Sequence, residues 1–121
     1  MITGIQQIHI NVEDIDRAID FYQRILGLTL VMSFPEQNMA FFDCYGTRLY
    51  LGTNPEYQSN PFIYYQTDNI DNDFSTLKQN KAEIIKAPMI IHKTETHESW
   101  LLAFKDSEGN TLHLMQDKRI G

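Results

Sequence analysis

The side chains of this sequence best suited to bind a metal ion or move a proton are its four histidines and its one cysteine, namely His9, His92, His97, His113 and Cys44. Imidazoles suit zinc, iron, nickel or copper, but a stable site normally uses three or more protein ligands. The sequence has no Cys-x-x-Cys pair, no His-Glu-x-x-His motif and no glycine-rich phosphate loop. The strands and helices that position the histidines therefore decide which chemistry is open to them.

The composition is that of an ordinary globular domain. The chain has 121 residues, of which 42% are hydrophobic and 21% charged, so we expect one domain over residues 1–121. The net charge of −6 and the scattered basic residues argue against nucleic acid as a partner, and mildly favour neutral or cationic ligands. No long apolar run predicts a membrane span, and no signal peptide is evident at the N-terminus. A lone cysteine favours a reducing compartment, most simply the cytoplasm.

The first half of the chain predicts one β-α-β-β-β module over residues 1–52. Residues 8–12 alternate apolar and polar side chains, which is typical of a half-buried strand. Asp14 is a good N-cap for an amphipathic helix, and Gly27 supplies its end. Strands are predicted near 28–34, 39–44 and 48–52.

The same order recurs in a second module over residues 62–121. A strand at 62–67 precedes a helix that starts after Asn69 and ends near Asn80. Strands are predicted at 83–86, 99–105 and 111–116, with residues 87–98 as an extended connection before the seventh strand. Residues 53–61, rich in Pro and Asn, are predicted to link the modules. The fold class is therefore α+β.

Three stretches of the sequence resemble the vicinal oxygen chelate superfamily, which includes glyoxalase I, extradiol dioxygenases and the fosfomycin- and bleomycin-resistance proteins. They are the first strand and helix, the pair of strands that closes the first module, and the final hairpin with its aspartate and Gly-Asn turn, at residues 8–28, 40–51 and 104–114. The resemblance implies two βαβββ modules that form a curved mixed sheet around a cup, with the helices on its outer face. It also implies a small-molecule ligand and a homodimer.

Family metal ligands project from the first and last strands of each module, and the matching positions here are His9, Tyr50, Tyr64 and His113. The strand pattern supports this assignment, because apolar neighbours such as Leu49 and Leu51 alternate with these residues. Members often place a carboxylate on the last strand, where this chain has His113. Two alternatives follow: His9 and His113 hold one divalent metal (Zn, Ni, Mn or Fe), or they bind no metal and form hydrogen bonds in the cup.

Two functions are compatible with this resemblance. The first is a glyoxalase-like lyase or dioxygenase that acts on a small oxygenated substrate, with Tyr50 or Tyr64 as general acid and His92 or His97 as base. The alternative is a metal-free, drug-binding protein of the bleomycin-resistance type, in which Tyr50, Tyr64 and Trp100 stack on a planar ligand. A third, plainer interpretation is a regulatory or interaction domain with a vestigial cup.

Several other residues are candidates with a structural alternative. We expect Asn11 and Arg48 on the cup face to bind ligand. Arg48 binds a carboxylate or phosphate with both arms of its guanidinium, or else forms a rim salt bridge with Asp43 or with an acidic residue of a helix. His92 is a further ligand-binding candidate on the extended connection, unless that connection is a solvated loop. Trp100 faces either the cup or the core, and Cys44 is expected to be a buried structural thiol.

Overall fold

The computed structural model describes residues 1–54 and 60–121. Most of the predicted linker, residues 55–59, lies outside the described residues. The chain divides into two compact units, Met1–Pro61 and Phe62–Gly121.

The first unit is a four-stranded mixed sheet with one helix. Its strands lie in the order β1-β4-β3-β2, with β1 parallel to β4 and the other pairs antiparallel. The helix α1 continues into a π-helical turn, in which the Leu26 N–H donates to the Phe21 carbonyl. The elements are β1 (Gln7–Asn11), α1 (Ile15–Asp20) with its π-helical turn (Phe21–Ile25), β2 (Thr29–Phe34), a 3₁₀ turn (Pro35–Gln37), β3 (Met39–Cys44) and β4 (Thr47–Gly52).

The second unit repeats this arrangement. Its strands lie in the order β5-β8-β7-β6, again with one parallel pair, β5 and β8. The elements are β5 (Ile63–Gln66), α2 (Ile70–Gln79), β6 (Ile84–Lys93), β7 (His97–Lys105) and β8 (Thr111–Arg119). Two successive β-α-β-β-β units confirm the predicted α+β class and element order.

Both helices begin where the sequence predicts. The Asp14 side chain accepts from the Arg17 N–H at 3.0 Å, and the Asn69 side chain accepts from the Asn72 N–H at 3.1 Å. Each cap satisfies a backbone donor that the first helical turn leaves without a partner. Gly27 follows the π-helical turn with φ +73°, a left-handed conformation that favours glycine. Neither these helices nor any other helix in the described part of the chain is long and apolar enough to cross a membrane.

One face of each sheet packs against its helix and forms the core of that unit. In the first unit α1 contacts β3 and β4, and in the second α2 contacts all three of β6, β7 and β8. The alternation of the strands determines which side chains are buried there. The largest fully buried side chains are Tyr22, Phe42, Phe104, Ile10, Leu49, Leu51, Ile70, Leu102 and Leu112.

The predicted connection at residues 87–98 is instead part of a β-hairpin. Strand β6 runs to Lys93 and β7 begins at His97, joined by a turn in which the Thr94 N–H donates to the His97 carbonyl. Pro88 is tolerated because β6 is the last strand of its sheet in the described part of the chain, and an edge strand can do without one backbone donor. Three irregularities in the β6–β7 pairing break the alternation that would have revealed the strand in the sequence.

The turn between β7 and β8 is organised by a buried carboxylate. Asp106 is only 6% exposed, and its side chain accepts from the N–H groups of Glu108 and Asn110, both at 2.8 Å, and from the Asn110 amide at 3.0 Å. Gly109 occupies the left-handed position of the turn at φ +81°. This turn sets the register of β8 against β7, and therefore the placement of the residues on β8.

We expect Asp106→Ala to lower the free energy of unfolding by about 1–3 kcal/mol, because it leaves three partly buried N–H donors of Glu108 and Asn110 without this acceptor. Urea denaturation followed by circular dichroism measures this change. Glu95→Ala, at an exposed acidic position in the other hairpin of the same unit, is the control and should change stability by less than about 0.5 kcal/mol. Equal stability of the two variants would contradict an organising role for Asp106.

Candidate functional site

The face of the first sheet that points away from α1 carries a row of rings. His9 on β1, Tyr50 on β4 and Phe41 on β3 are directly paired in register. The Tyr50 ring lies edge-on to His9 at a centroid distance of 4.7 Å and nearly parallel to Phe41 at 5.0 Å. Phe34 on β2 extends the series, edge-on to Phe41 at 6.5 Å. We call these four residues the ring row.

A glycine makes room for the central ring of this row. A Cβ atom added at Gly52 would lie 2.8 Å from Cε1 of Tyr50 and 2.9 Å from its hydroxyl oxygen. The Tyr50 side chain therefore extends along its own strand, over the position where residue 52 has no side chain. Sequence reasoning missed both Gly52 and Phe41. The signal for Phe41 was its place between Ala40 and Phe42, two buried residues on the same strand.

The His9 imidazole is half-buried, and this burial lowers its pKa from the ordinary value of 6.5. Desolvation penalises the charged form, so the ring is neutral at pH 7. A neutral imidazole offers one hydrogen-bond donor and one acceptor. The ring row is therefore mainly apolar, with polar atoms on His9 and at the tip of Tyr50.

Two polar residues predicted to bind ligand have defined partners on this face. The Asn11 side-chain oxygen accepts from the Asn54 N–H at 2.8 Å, and the Asn11 N–H donates to the Asn60 side chain at 2.7 Å. Asn11 on β1 is thus hydrogen-bonded to Asn54 and to Asn60, the residues on either side of 55–59. Arg48 donates from Nε to Gln7 at 3.0 Å, and its guanidinium carbon lies 5.6 Å from the Phe41 ring centroid.

The second unit carries a matching pair of rings. Tyr64 on β5 and His113 on β8 are paired in register, and their rings stack at 4.2 Å with an interplanar angle of 16°. Phe62 meets His113 edge-on at 6.0 Å, and Nδ1 of His113 lies 3.3 Å from the Ile63 carbonyl oxygen. Tyr64 is 56% exposed, so much of the outer side of this stack is accessible.

The two pairs occupy equivalent positions with their residue types exchanged. His9 and Tyr64 lie on the first strand of each unit, while Tyr50 and His113 lie on the last. Each unit therefore contributes one imidazole and one phenol. The structure brings the four predicted positions together two by two, His9 with Tyr50 and Tyr64 with His113.

Trp100 does not lie with His113. It pairs with Gln116 on the face of β7 that also carries the buried Leu102, whereas His113 pairs with Ala103 on the opposite face. The indole N–H donates to the Glu98 carboxylate at 3.2 Å, and the Lys118 ammonium lies 4.5 Å above the ring. Trp100 is therefore on the helix side of its sheet, one of the two orientations that the sequence left open.

His92 and His97 are also distant from the stacked pair. By register, His92 aligns through Ser99 with Asp117, and His97 pairs with Arg119. These positions lie four and six residues along β8 from His113, or about 13 Å and 20 Å. His97 contacts the Thr96 hydroxyl at 2.8 Å. Neither histidine can share a metal ion or a substrate atom with His113 in this arrangement.

The donor set within either unit does not fit a divalent metal. A stable site needs about three protein ligands, and neutral Tyr is a poor one beside a single His. Across residues 1–54 and 60–121, no group of three or more His, Cys, Asp or Glu side chains is placed to hold an ion. Burial, together with the charge of Asp43, raises the pKa of the Cys44 thiol, so this side chain stays protonated at neutral pH.

Comparison with known proteins supports a common fold. The profile of the Glyoxalase/Bleomycin resistance protein/Dioxygenase superfamily matches residues 4–114. A superfamily member from Sphaerobacter thermophilus is 25% identical with a TM-score of 0.74, and the alignment covers 96% of this chain and 98% of that one. A lactoylglutathione lyase from Agrobacterium tumefaciens is 19% identical with a TM-score of 0.72, covering 95% and 94%. No curated protein matches the chain.

We expect Gly52→Ala to displace the Tyr50 ring and to lower the free energy of unfolding by about 1–3 kcal/mol, the usual cost of overpacking. The change in the Tyr50 ring-proton shifts by NMR and urea denaturation measure the two effects. Gly4→Ala, where an added Cβ has nothing within 4 Å, is the control. In a Tyr50→Ala background the Gly52 substitution should lose most of its cost. An undiminished cost there would mean that Gly52 does not act through Tyr50.

Proposed function

The chain belongs to the Glyoxalase/Bleomycin resistance protein/Dioxygenase superfamily, and on this premise we propose that it binds a small planar molecule against the ring row of the first unit. The observation that supports the proposal is the nearly parallel, half-buried Tyr50–Phe41 pair, flanked by His9 and Phe34. Small-molecule sites are typically apolar and aromatic, with a few polar groups that orient the ligand. The ring row has this composition.

Each member of the ring row has a separate role in this proposal. Tyr50 and Phe41 provide aromatic surface, and a well-placed ring contact contributes about 0.5–1.5 kcal/mol beyond its buried area. Because burial keeps the pKa of His9 low, its neutral ring can donate or accept one hydrogen bond without the cost of desolvating a charge. Phe34, on the edge strand β2, is the last ring of the row and extends its apolar surface.

The stack of Tyr64 on His113 offers the same chemistry in the second unit. Its rings are nearly parallel, and Tyr64 is exposed. Members of the superfamily commonly bind small molecules and form dimers, and we propose a homodimer here. From the single cysteine we also propose a reducing compartment, the cytoplasm.

We expect a neutral two-ring probe, 2-naphthamide, to bind the protein, and Tyr50→Ala to weaken its affinity about two- to tenfold, in line with the loss of one ring contact. An NMR titration monitored at the ring row measures both affinities. Tyr45→Ala, which removes the 99% exposed tyrosine of the β3–β4 turn, is the matched control and should bind like the wild type. Equal affinities of all three proteins would place the probe elsewhere and count against the proposal.

A second candidate function is a metal-dependent, glyoxalase-like lyase or dioxygenase. What favours it is that each unit presents one partly exposed imidazole, His9 or His113, on the sheet face away from its helix. Superfamily members often use a divalent metal to polarise substrate oxygens. The donors within either unit do not complete a ligand set, so no reaction step follows from them.

Under this second candidate, the protein loaded with Zn, Ni, Mn or Fe retains about one metal ion per chain after dialysis. A His9→Ala/His113→Ala double variant should lose that ion, because it loses both imidazole ligands. A His92→Ala/His97→Ala double variant should retain it, since those side chains are far from His113. Elemental analysis measures the stoichiometry. Retention by the first double variant, or no retention by the wild type under any loading, would exclude His9 and His113 as the metal site.

A further inference from the structure

Arg48 places a positive charge at the edge of the ring row. It lies two residues before Tyr50 on β4, on the same face of the strand, and its guanidinium carbon is 5.6 Å from the centre of the Phe41 ring. The Nε–H donates to the Gln7 side chain on the neighbouring strand at 3.0 Å. Arg48 is half-buried and is held from two sides, by Gln7 and by the Phe41 ring.

The two terminal amino groups of the Arg48 guanidinium are placed to bind an anion. Within the described ranges, Arg48 takes part in no ion pair, whereas Arg24 on the helix is bound by Asp20. With Nε used by Gln7, the two terminal amino groups keep the forked geometry that matches a carboxylate. Contact with an aromatic ring and partial burial both reduce the hydration that an incoming anion must displace.

One acidic residue on the same face opposes this charge. Asp43 pairs with Arg48 across β3 and β4, but its side chain accepts from the Gly46 N–H of the turn at 3.2 Å, and it is exposed. High-dielectric water around an exposed carboxylate weakens its interaction with a neighbouring charge. Asp43 therefore opposes an anion at Arg48 only in part, while the guanidinium carbon lies 5.6 Å from the Phe41 ring centroid.

We propose that the ligand of the ring row is a planar aromatic acid, with its ring system against Tyr50 and Phe41 and its carboxylate on the terminal amino groups of Arg48. The inference rests on the proposed function, and it adds the charge class of the ligand. Two residues along a strand separate Arg48 from Tyr50, about 7 Å. Two fused rings bearing one carboxylate can span that distance.

The test is a series of three probes with one ring system and different charges: 2-naphthoate, 2-naphthamide and 2-naphthylmethylammonium, titrated at pH 7.5. We expect the wild type to bind the carboxylate about tenfold more tightly than the amide, and the ammonium no more tightly than the amide, as for a hydrogen bond to a charged group. Arg48→Gln should remove the preference for the carboxylate, so that the carboxylate and the amide bind this variant with affinities within about twofold of each other.

Two further variants separate a local effect of Arg48 from net charge and from misfolding. Arg17→Gln removes the same charge from the exposed face of α1, where Arg17 forms an ion pair with Glu13, and should keep the preference for the carboxylate. Asp43→Asn retains an acceptor for Gly46 and should raise the affinity for the carboxylate, an effect that does not depend on an altered Arg48. Circular dichroism of each variant verifies its fold.

Each unfavourable outcome has a distinct meaning. If the amide binds but the carboxylate has no advantage, or if Arg48→Gln keeps that advantage, the aromatic-acid inference is wrong and the proposal of planar-ligand binding stands. If the ammonium binds most tightly, the ligand is cationic and the inference is wrong. If none of the three probes binds the wild type, the proposed function fails and the inference fails with it.

Discussion

Burial of Leu49 and Leu51 against the helix side of the first sheet is the interaction on which the candidate site depends. Because side chains alternate across a strand, these two residues force Arg48 and Tyr50 to the other face. A slip of one residue in β4 would bury the phenol and expose both leucines, so the hydrophobic core also holds the register of the ring row. Leu112 and Leu114 do the same for His113 in the second unit.

The exchange of residue types between the two units determines the chemistry available in each. On its first and last strands the first unit has His9 and Tyr50. The second unit has Tyr64 and His113 at the equivalent positions. A metal shell needs several strong donors in one place, whereas ring stacking needs only flat, partly exposed surfaces. Each unit by itself therefore meets the requirement for aromatic recognition and falls short of the requirement for metal binding.

The charge beside the ring row is positive, whereas the net charge of the whole chain is negative. An acidic chain favours cationic ligands at long range, but long-range fields are screened within about 10 Å at ordinary salt concentration. Arg48 is close to Phe41 and half-buried, while the opposing Asp43 is exposed and bound to a turn amide. In the proposed complex with an aromatic acid, this short-range geometry, which composition does not contain, outweighs the preference for cations that the net charge indicates.

The sequence by itself determined the order of elements, both helix starts and the alternation that puts His9, Tyr50, Tyr64 and His113 on one face of their strands. These features follow from local rules: a capping side chain acts over three residues, and the pleat has a period of two. The tertiary structure alone decided the hairpin at 87–98, because bulges and an edge-strand proline erase the alternation there. It also decided the side on which Trp100 lies, the distance from His97 to His113, and the room above Gly52 for Tyr50. Those features depend on register and contacts between strands far apart in the chain, and no local pattern in the sequence contains them.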